Sequence, residues 1–188
     1  MTFQTEPEVQ PPRSRLDRPL STTVISWQIA LVLLLTVVLL LYFLFRSSGL
    51  SLPSALGKLP LYREINGSEA RGAIAQLHGK EVSQEDNLIG MYGAPEGTAT
   101  LYASMYGNEE EAAQVYASMA SRIGEGGSEF GQYSSRSVDG KIVSVCKGMG
   151  QVHYFFAHGR LIYWLAADID RGEDALRDLL AFADQQQQ

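Results

Sequence analysis

The feature that most constrains this chain is an apolar run near its N-terminus. No charged residue occurs from Pro19 to Phe45, and most positions after Val24 are Leu, Val, Ile, Ala or Phe. About 21 residues in a helix span roughly 31 Å, close to the hydrocarbon thickness of a bilayer. The run therefore predicts one transmembrane helix over residues 22–46.

The residues at the two ends of this run suit a membrane anchor. Trp27 lies near one end, and Tyr42 and Phe45 lie near the other, as aromatic side chains do at membrane interfaces. Arg46 follows directly and can extend to the headgroups. A cleaved signal peptide is the alternative, but its apolar region has only about 7–15 residues. The pattern favours a signal anchor held by Trp27, Tyr42, Phe45 and Arg46.

Positive charges flank the run on both sides: Arg13, Arg15 and Arg18 before it, and Arg46, Lys58 and Arg63 after it. The positive-inside rule thus favours a cytoplasmic N-terminus only slightly. A short tail, one span and a folded C-terminal domain are typical of a signal anchor. We expect a single-pass protein of the cytoplasmic (inner) membrane, with its N-terminus cytoplasmic and its C-terminal domain extracytoplasmic.

Composition divides the chain into five segments: a disordered tail (1–21), the transmembrane helix (22–46), a juxtamembrane linker (47–61), an extramembrane domain (62–184) and a frayed Gln tail (185–188). The tail is rich in Pro and the linker in Ser, Gly and Pro. Residues 1–46 carry four Arg and three acids, a net of +1, whereas residues 47–188 carry 11 basic and 18 acidic residues, a net of -7. Such an acidic domain argues against a nucleic-acid partner.

Periodicity within the domain predicts its elements. Residues 98–106 alternate between an apolar and a polar face, as a half-buried strand does. Asp139-Gly140 is a strong signal for a two-residue hairpin. The predicted order is helix, two strands, helix, four strands, helix. We therefore expect an α+β fold: a two-layer domain with a mainly antiparallel sheet of about six strands and helices packed on one face.

Motifs for chemistry are missing from the sequence. Cys146 is the only cysteine, and there is no C-x-x-C, H-E-x-x-H, G-x-S-x-G or phosphate-binding P-loop. Cys146 reads as a small buried residue, with a reactive thiol or an intermolecular disulfide as alternatives. His153 and the other histidines lack a metal-binding spacing. We therefore expect no catalytic residue, no cofactor and no metal, and a protein that is not an enzyme.

Aromatic residues are the most distinctive content of the domain. Tyr102, Tyr106 and Tyr133 occupy strand faces opposite the expected core side. On a two-layer fold one sheet face carries no helix, so these three tyrosines form a candidate partner-binding surface. The alternatives are that the linker covers this face, or that tyrosines simply suit a pleated surface.

These features together predict a single-pass, membrane-anchored, non-enzymatic protein. Its extracytoplasmic domain would bind a membrane-protein partner, as an accessory or assembly subunit of a membrane complex, and residues 22–46 would contact the lipid bilayer. One alternative is a sensor or small-molecule-binding domain, with a pocket formed by the sheet and the loop at 124–131. Another is an enzyme whose active site is assembled from distant residues.

Overall fold

The computed structural model describes residues 22–45, 49–78, 84–126 and 128–186. The chain divides into two units, Met1–Ser48 and Gly49–Gln188. The first unit contains helix α1 (Thr22–Phe45), whose described large apolar side chains are exposed by between 49% at Val37 and 78% at Trp27. The structure does not describe three of the predicted anchor residues in full: the side chains of Tyr42 and Phe45, and all of Arg46.

The second unit is built on one sheet and three further helices. The strands are β1 (Ala55–Leu56), β2 (Leu59–Asn66), β3 (Asp86–Ala94), β4 (Gly97–Met105), β5 (Gly131–Val138), β6 (Lys141–Gly148), β7 (Gln151–His158) and β8 (Leu161–Asp168). The helices are α2 (Gly67–His78), α3 (Glu109–Gly124) and α4 (Gly172–Gln185). The sheet order is β1-β2-β3-β4-β8-β7-β6-β5, and every pairing is antiparallel.

The sheet curls around α4. This helix packs against β7 and β8 in the middle of the sheet and also against β1 at its edge. β1 and β8 are four strands apart in the sheet order, which is about 19 Å in a flat sheet, whereas a helix is only about 10–12 Å across. One helix contacts both strands because the sheet bends into a half-barrel with α4 on its concave side.

Alternate residues of β4 show that helices cover both faces of the sheet. Leu101 and Ala103 belong to the core cluster under α4. Tyr102 lies between them in sequence and packs with Ile74 of α2 on the opposite, convex face. α3 covers the same convex face, where its cluster includes Phe155. The domain therefore has helices above and below the sheet.

The predicted fold class is wrong. The sheet has eight strands rather than about six, because residues assigned to the linker contribute β1 and the start of β2. The domain is not two-layered, because α4 fills the concave face while α2 and α3 cover the convex one. The predicted transmembrane helix is not borne out either. In the part of the chain that the structure describes, no helix combines the length and the apolar character needed to cross a membrane.

A tight turn fixes the β1 edge to α4. Gly57 and Lys58 both have positive φ, 56° and 68°, as the central residues of a type I′ hairpin turn do. The Gly57 N–H donates to Asp178 Oδ2 of α4 at 2.8 Å. Leu56 and Leu59 on either side are completely buried. The turn thus closes this end of the half-barrel onto the helix.

Candidate functional site

The three tyrosines of the predicted partner surface lie on the convex face, close to its helices. Tyr102 is half-buried against the α2 cluster, and Tyr106 is only 2% exposed in a cluster with Ala112 of α3. Tyr133 is half-buried beside Gly124, and its hydroxyl lies 3.1 Å from Ser144 Oγ. The structure places them on one face but not on an open platform. Their role in partner binding stays a prediction.

His153 is held between two hydrogen bonds inside an aromatic cluster. Trp164 Nε1 donates to His153 Nδ1 at 3.1 Å, so the ring proton is on Nε2, which donates to the Gly148 carbonyl at 3.1 Å. The Phe130 ring meets the imidazole edge-on at 4.7 Å. Burial lowers the pKa of His153. Both ring nitrogens are occupied, so the imidazole acts here as a neutral packing element.

Cys146 and the glycine-rich loop also have structural roles. The thiol is completely buried in the cluster that contains Phe155, and burial raises its pKa to about 11. A protonated, enclosed thiol is a poor nucleophile. At the end of the loop over 124–131, Phe130 packs against His153 and Trp164. This loop therefore contributes to the core through Phe130.

An open groove lies on the concave side, between β5 and α4. Its volume is about 540 Å³. The residues that line it, here called the β5–α4 groove, are Arg136, Ser137, Val138, Asp139, Glu173, Leu176, Arg177 and Leu180. Leu176 and Leu180 are nearly completely buried, so the accessible lining is mainly polar. The groove exists because α4 packs closely on β1, β7 and β8 but not on β5.

Charged side chains bridge this groove. Arg136 Nη2 donates to both carboxylate oxygens of Glu173, each at 2.6 Å. The Tyr154 hydroxyl donates to Glu173 Oε1 at 3.0 Å, and burial together with this carboxylate raises the pKa of Tyr154. Arg177 pairs with Asp174 at 3.0 Å on the exposed side of α4. The ion pairs are open to solvent, so each contributes little to stability.

The strand beside the groove forms an open edge of the sheet. Within the described residues, β5 pairs with β6 alone. A bulge separates Gly131 from Ser134, with Gln132 at φ 53°, and regular pairing then runs from Ser134 to Val138. We call this regular stretch, Ser134–Val138, the β5 edge. Its side chains are exposed except Val138, and Arg136 carries its only charge.

The opposite edge of the sheet is built differently. β1 has only two residues, and β2 beside it carries Pro60 and the charged pair Arg63-Glu64. Short strands, proline and charge are the features that keep an edge from pairing with other chains. The β5 edge has one arginine, already bound to Glu173, among serines. It is thus the less protected of the two edges.

The sequence pattern did not identify this site. The run of serines in β5 was readable, but strand order alone decides that β5 rather than β3 or β6 is at an edge. Among the residues that the structure describes, no group of three or more His, Cys, Asp or Glu side chains is arranged to hold a metal ion. Comparison of the chain with protein-family models, curated proteins and solved structures gave no match.

Proposed function

We propose that this protein is a non-enzymatic accessory or assembly subunit of a membrane complex, and that its domain of residues 49–186 binds a partner protein. The observation that carries the proposal is the β5 edge. Its main-chain groups that face away from β6 have no strand partner among the described residues, and an unprotected edge is a template for pairing with another chain. The β5–α4 groove lies directly beside it.

Attachment to the lipid bilayer through residues 22–46, with the domain outside the cytoplasm, is part of the proposal. The described apolar side chains of α1 support it, because they are about half exposed or more and apolar area of this extent needs cover from water. The net charge of -7 over residues 47–188 opposes contact with anionic headgroups. The negative charge therefore favours a protein, rather than the lipid surface, as the partner of the domain.

Site-specific photo-crosslinking at native expression level tests this function. A photoreactive residue replaces Ser135 in the β5 edge or, as a matched control, the exposed Ser118 on α3. We expect one discrete heavier product from position 135 and none from position 118, in membranes that retain the protein after alkaline extraction. Release of the protein by alkali, or recovery of a monomer with no product at either position, would contradict the proposal.

A second candidate function is the sensing of a small molecule. The groove volume of about 540 Å³ lies within the usual range of ligand pockets, roughly 300–1,000 Å³, and its charged side chains, Arg136, Arg177, Asp139 and Glu173, could contact polar groups of a ligand. A thermal-shift screen of the full chain with polar metabolites tests this candidate. A stabilising compound whose effect disappears in Arg136→Gln would favour sensing over partner binding.

A further inference from the structure

We propose that the partner supplies an extended, uncharged segment that adds to the sheet as a ninth strand alongside the β5 edge. This inference rests on the proposed function, because it names the kind of partner that the same site binds. In strand addition, main-chain hydrogen bonds give the affinity and pockets for alternate side chains give the specificity. Here the β5 edge would supply the main-chain hydrogen bonds, and the β5–α4 groove would supply the side-chain pockets.

The asymmetry of the half-barrel shows where such a strand fits. On one side, β1 touches α4 directly, with the Gly57 N–H bound to Asp178. On the other side, the contact between β5 and α4 includes the long side chains of Arg136 and Glu173. The β5–α4 groove is the space between strand β5 and helix α4. A strand added to β5 continues the curvature of the sheet and packs against the flank of α4 that is still open.

The register of β5 fixes which of its side chains the added strand would meet. Ser134 pairs with Val145 and Arg136 with Val143, and both valines pack on the concave core. Ser134, Arg136 and Val138 therefore share the concave side, whereas Ser135 and Ser137 share the convex side. An incoming segment would alternate in the same way, so every second side chain would enter the groove.

The charges of the groove favour an uncharged segment. Arg136 and Arg177 are matched by Asp139 and Glu173, so the four charges along the groove cancel. An acidic or basic side chain at a groove-facing position would meet a like charge as well as an opposite one. Small serines on the convex side of β5 leave room for branched side chains there. Val, Ile and Thr suit both requirements, because they are uncharged and favour strands.

A second copy of this chain fits the edge less well. Complete antiparallel pairing of residues 134–138 with themselves would set Arg136 directly opposite Arg136, and like charges in that position are destabilising. It would also present only Ser134, Arg136 and Val138 to the groove. These points favour a different protein as the source of the strand.

Selection of displayed nine-residue segments on the full chain in mild detergent tests the inference. We expect enriched segments with uncharged, branched residues at alternate positions. A synthetic copy of an enriched segment then has its amides N-methylated in two sets, odd or even. One set should weaken binding roughly tenfold or more and the other should leave it nearly unchanged, because only alternate amides face the edge strand. Equal effects of both sets, or no enrichment, would overturn strand addition.

Two protein variants give an independent measurement. Among Ser134 and Ser135, one residue directs its N–H towards β6 and the other directs it outward. Of the variants Ser134→Pro and Ser135→Pro, the one at the outward position should keep the melting temperature and lose the segment, whereas the other should lower the melting temperature. Crosslinks to a partner that survive in the stable variant would refute strand addition yet leave the proposed function intact. Light scattering that shows an edge-dependent dimer would instead identify a second copy as the occupant.

Discussion

At the scale of single residues, His153 shows how a residue with chemical potential can serve packing alone. Its Nδ1 accepts from Trp164 and its Nε2 donates to Gly148. Protonation would turn the acceptor nitrogen into a second donor that faces the Trp164 N–H. The lowered pKa follows from burial, and it links the stability of the domain to pH.

Acid should destabilise the domain through this histidine. Its folded-state pKa is lowered from the ordinary value of 6.5, so the unfolded chain binds the proton first as the pH falls. The contribution of His153 to stability is therefore complete above about pH 6.5 and is lost below it. We expect a larger fall in melting temperature between pH 7.5 and pH 5.5 in the native protein than in His153→Gln. Parallel pH profiles would contradict this prediction; His158, whose pKa is also lowered, contributes equally to both proteins.

The three tyrosines show what alternation along a strand can and cannot predict. It placed Tyr102 correctly on the face opposite Leu101 and Ala103. It could not predict that α2 and α3 lie on that face, because the sequence of a helix gives its apolar stripe but not the side of the sheet to which it returns.

At the scale of elements, the hairpins were the most predictable part of the fold. Asp139-Gly140 does connect β5 to β6, whereas the turn between β7 and β8 is Gly159-Arg160, with His158 still in β7. β2 was missed because Pro60 and the preceding Ser, Gly and Pro residues resemble a linker, and its side chains alternate poorly between buried and exposed. Its place in the sheet comes from long-range pairing with β3, which local sequence does not report.

The sequence predicts the start of α3 correctly but not that of α4. Asn108 caps α3, since its Oδ1 accepts from the Glu111 N–H at 2.8 Å, while Glu111 Oε2 accepts from the Gly107 N–H at 3.1 Å. The same spacing at Asp170 and Glu173 does not form a cap: no side chain caps α4, and Glu173 binds Arg136 instead. A tertiary contact there replaces the local one.

The α3 cap should contribute measurably to stability. Asn108→Ala removes the acceptor for the Glu111 N–H, which should lower the free energy of unfolding by about 0.5–2 kcal/mol. Asn108→Ser is the control, because serine restores a capping oxygen and should recover most of the loss. Urea denaturation measures both variants. A loss of the same size in Asn108→Ser would show that Asn108 acts through something other than its capping oxygen.

At the scale of the whole molecule, the half-barrel and its central helix decide where the candidate site lies. The prediction of helices on one face led to the tyrosines as the binding surface. The observed helices on both faces leave an edge and a groove as the exposed features. Neither the curvature nor the strand order has a local signal in the sequence, since β4 pairs with β8 although residues 106–160 lie between them.

Closure of the sheet on α4 should depend on Gly57. A Cβ at this position would lie 2.9 Å from the Ala175 amide nitrogen, a main-chain atom that cannot move aside. Gly57→Ala should therefore cost about 1–3 kcal/mol beyond the cost of its left-handed conformation, itself roughly 1–2 kcal/mol. Gly67→Ala is the matched control, because Gly67 has nearly the same φ, 55°, with nothing within 4 Å. Equal losses in urea denaturation would show that the close approach to α4 is unimportant.

The strand order also has a consequence for how the protein is made. β8 lies at the centre of the sheet between β4 and β7, yet it is the last strand in sequence among the described residues, and α4 follows it. During synthesis one side of β4 stays unpaired until β8, Leu161–Asp168, has left the ribosome. The concave core stays open until α4 has also been made. Non-local pairing of this kind slows folding and exposes intermediates to aggregation. A nascent chain that stalls before residue 161 therefore lacks the strand that joins the β1–β4 part of the sheet to the β5–β7 part.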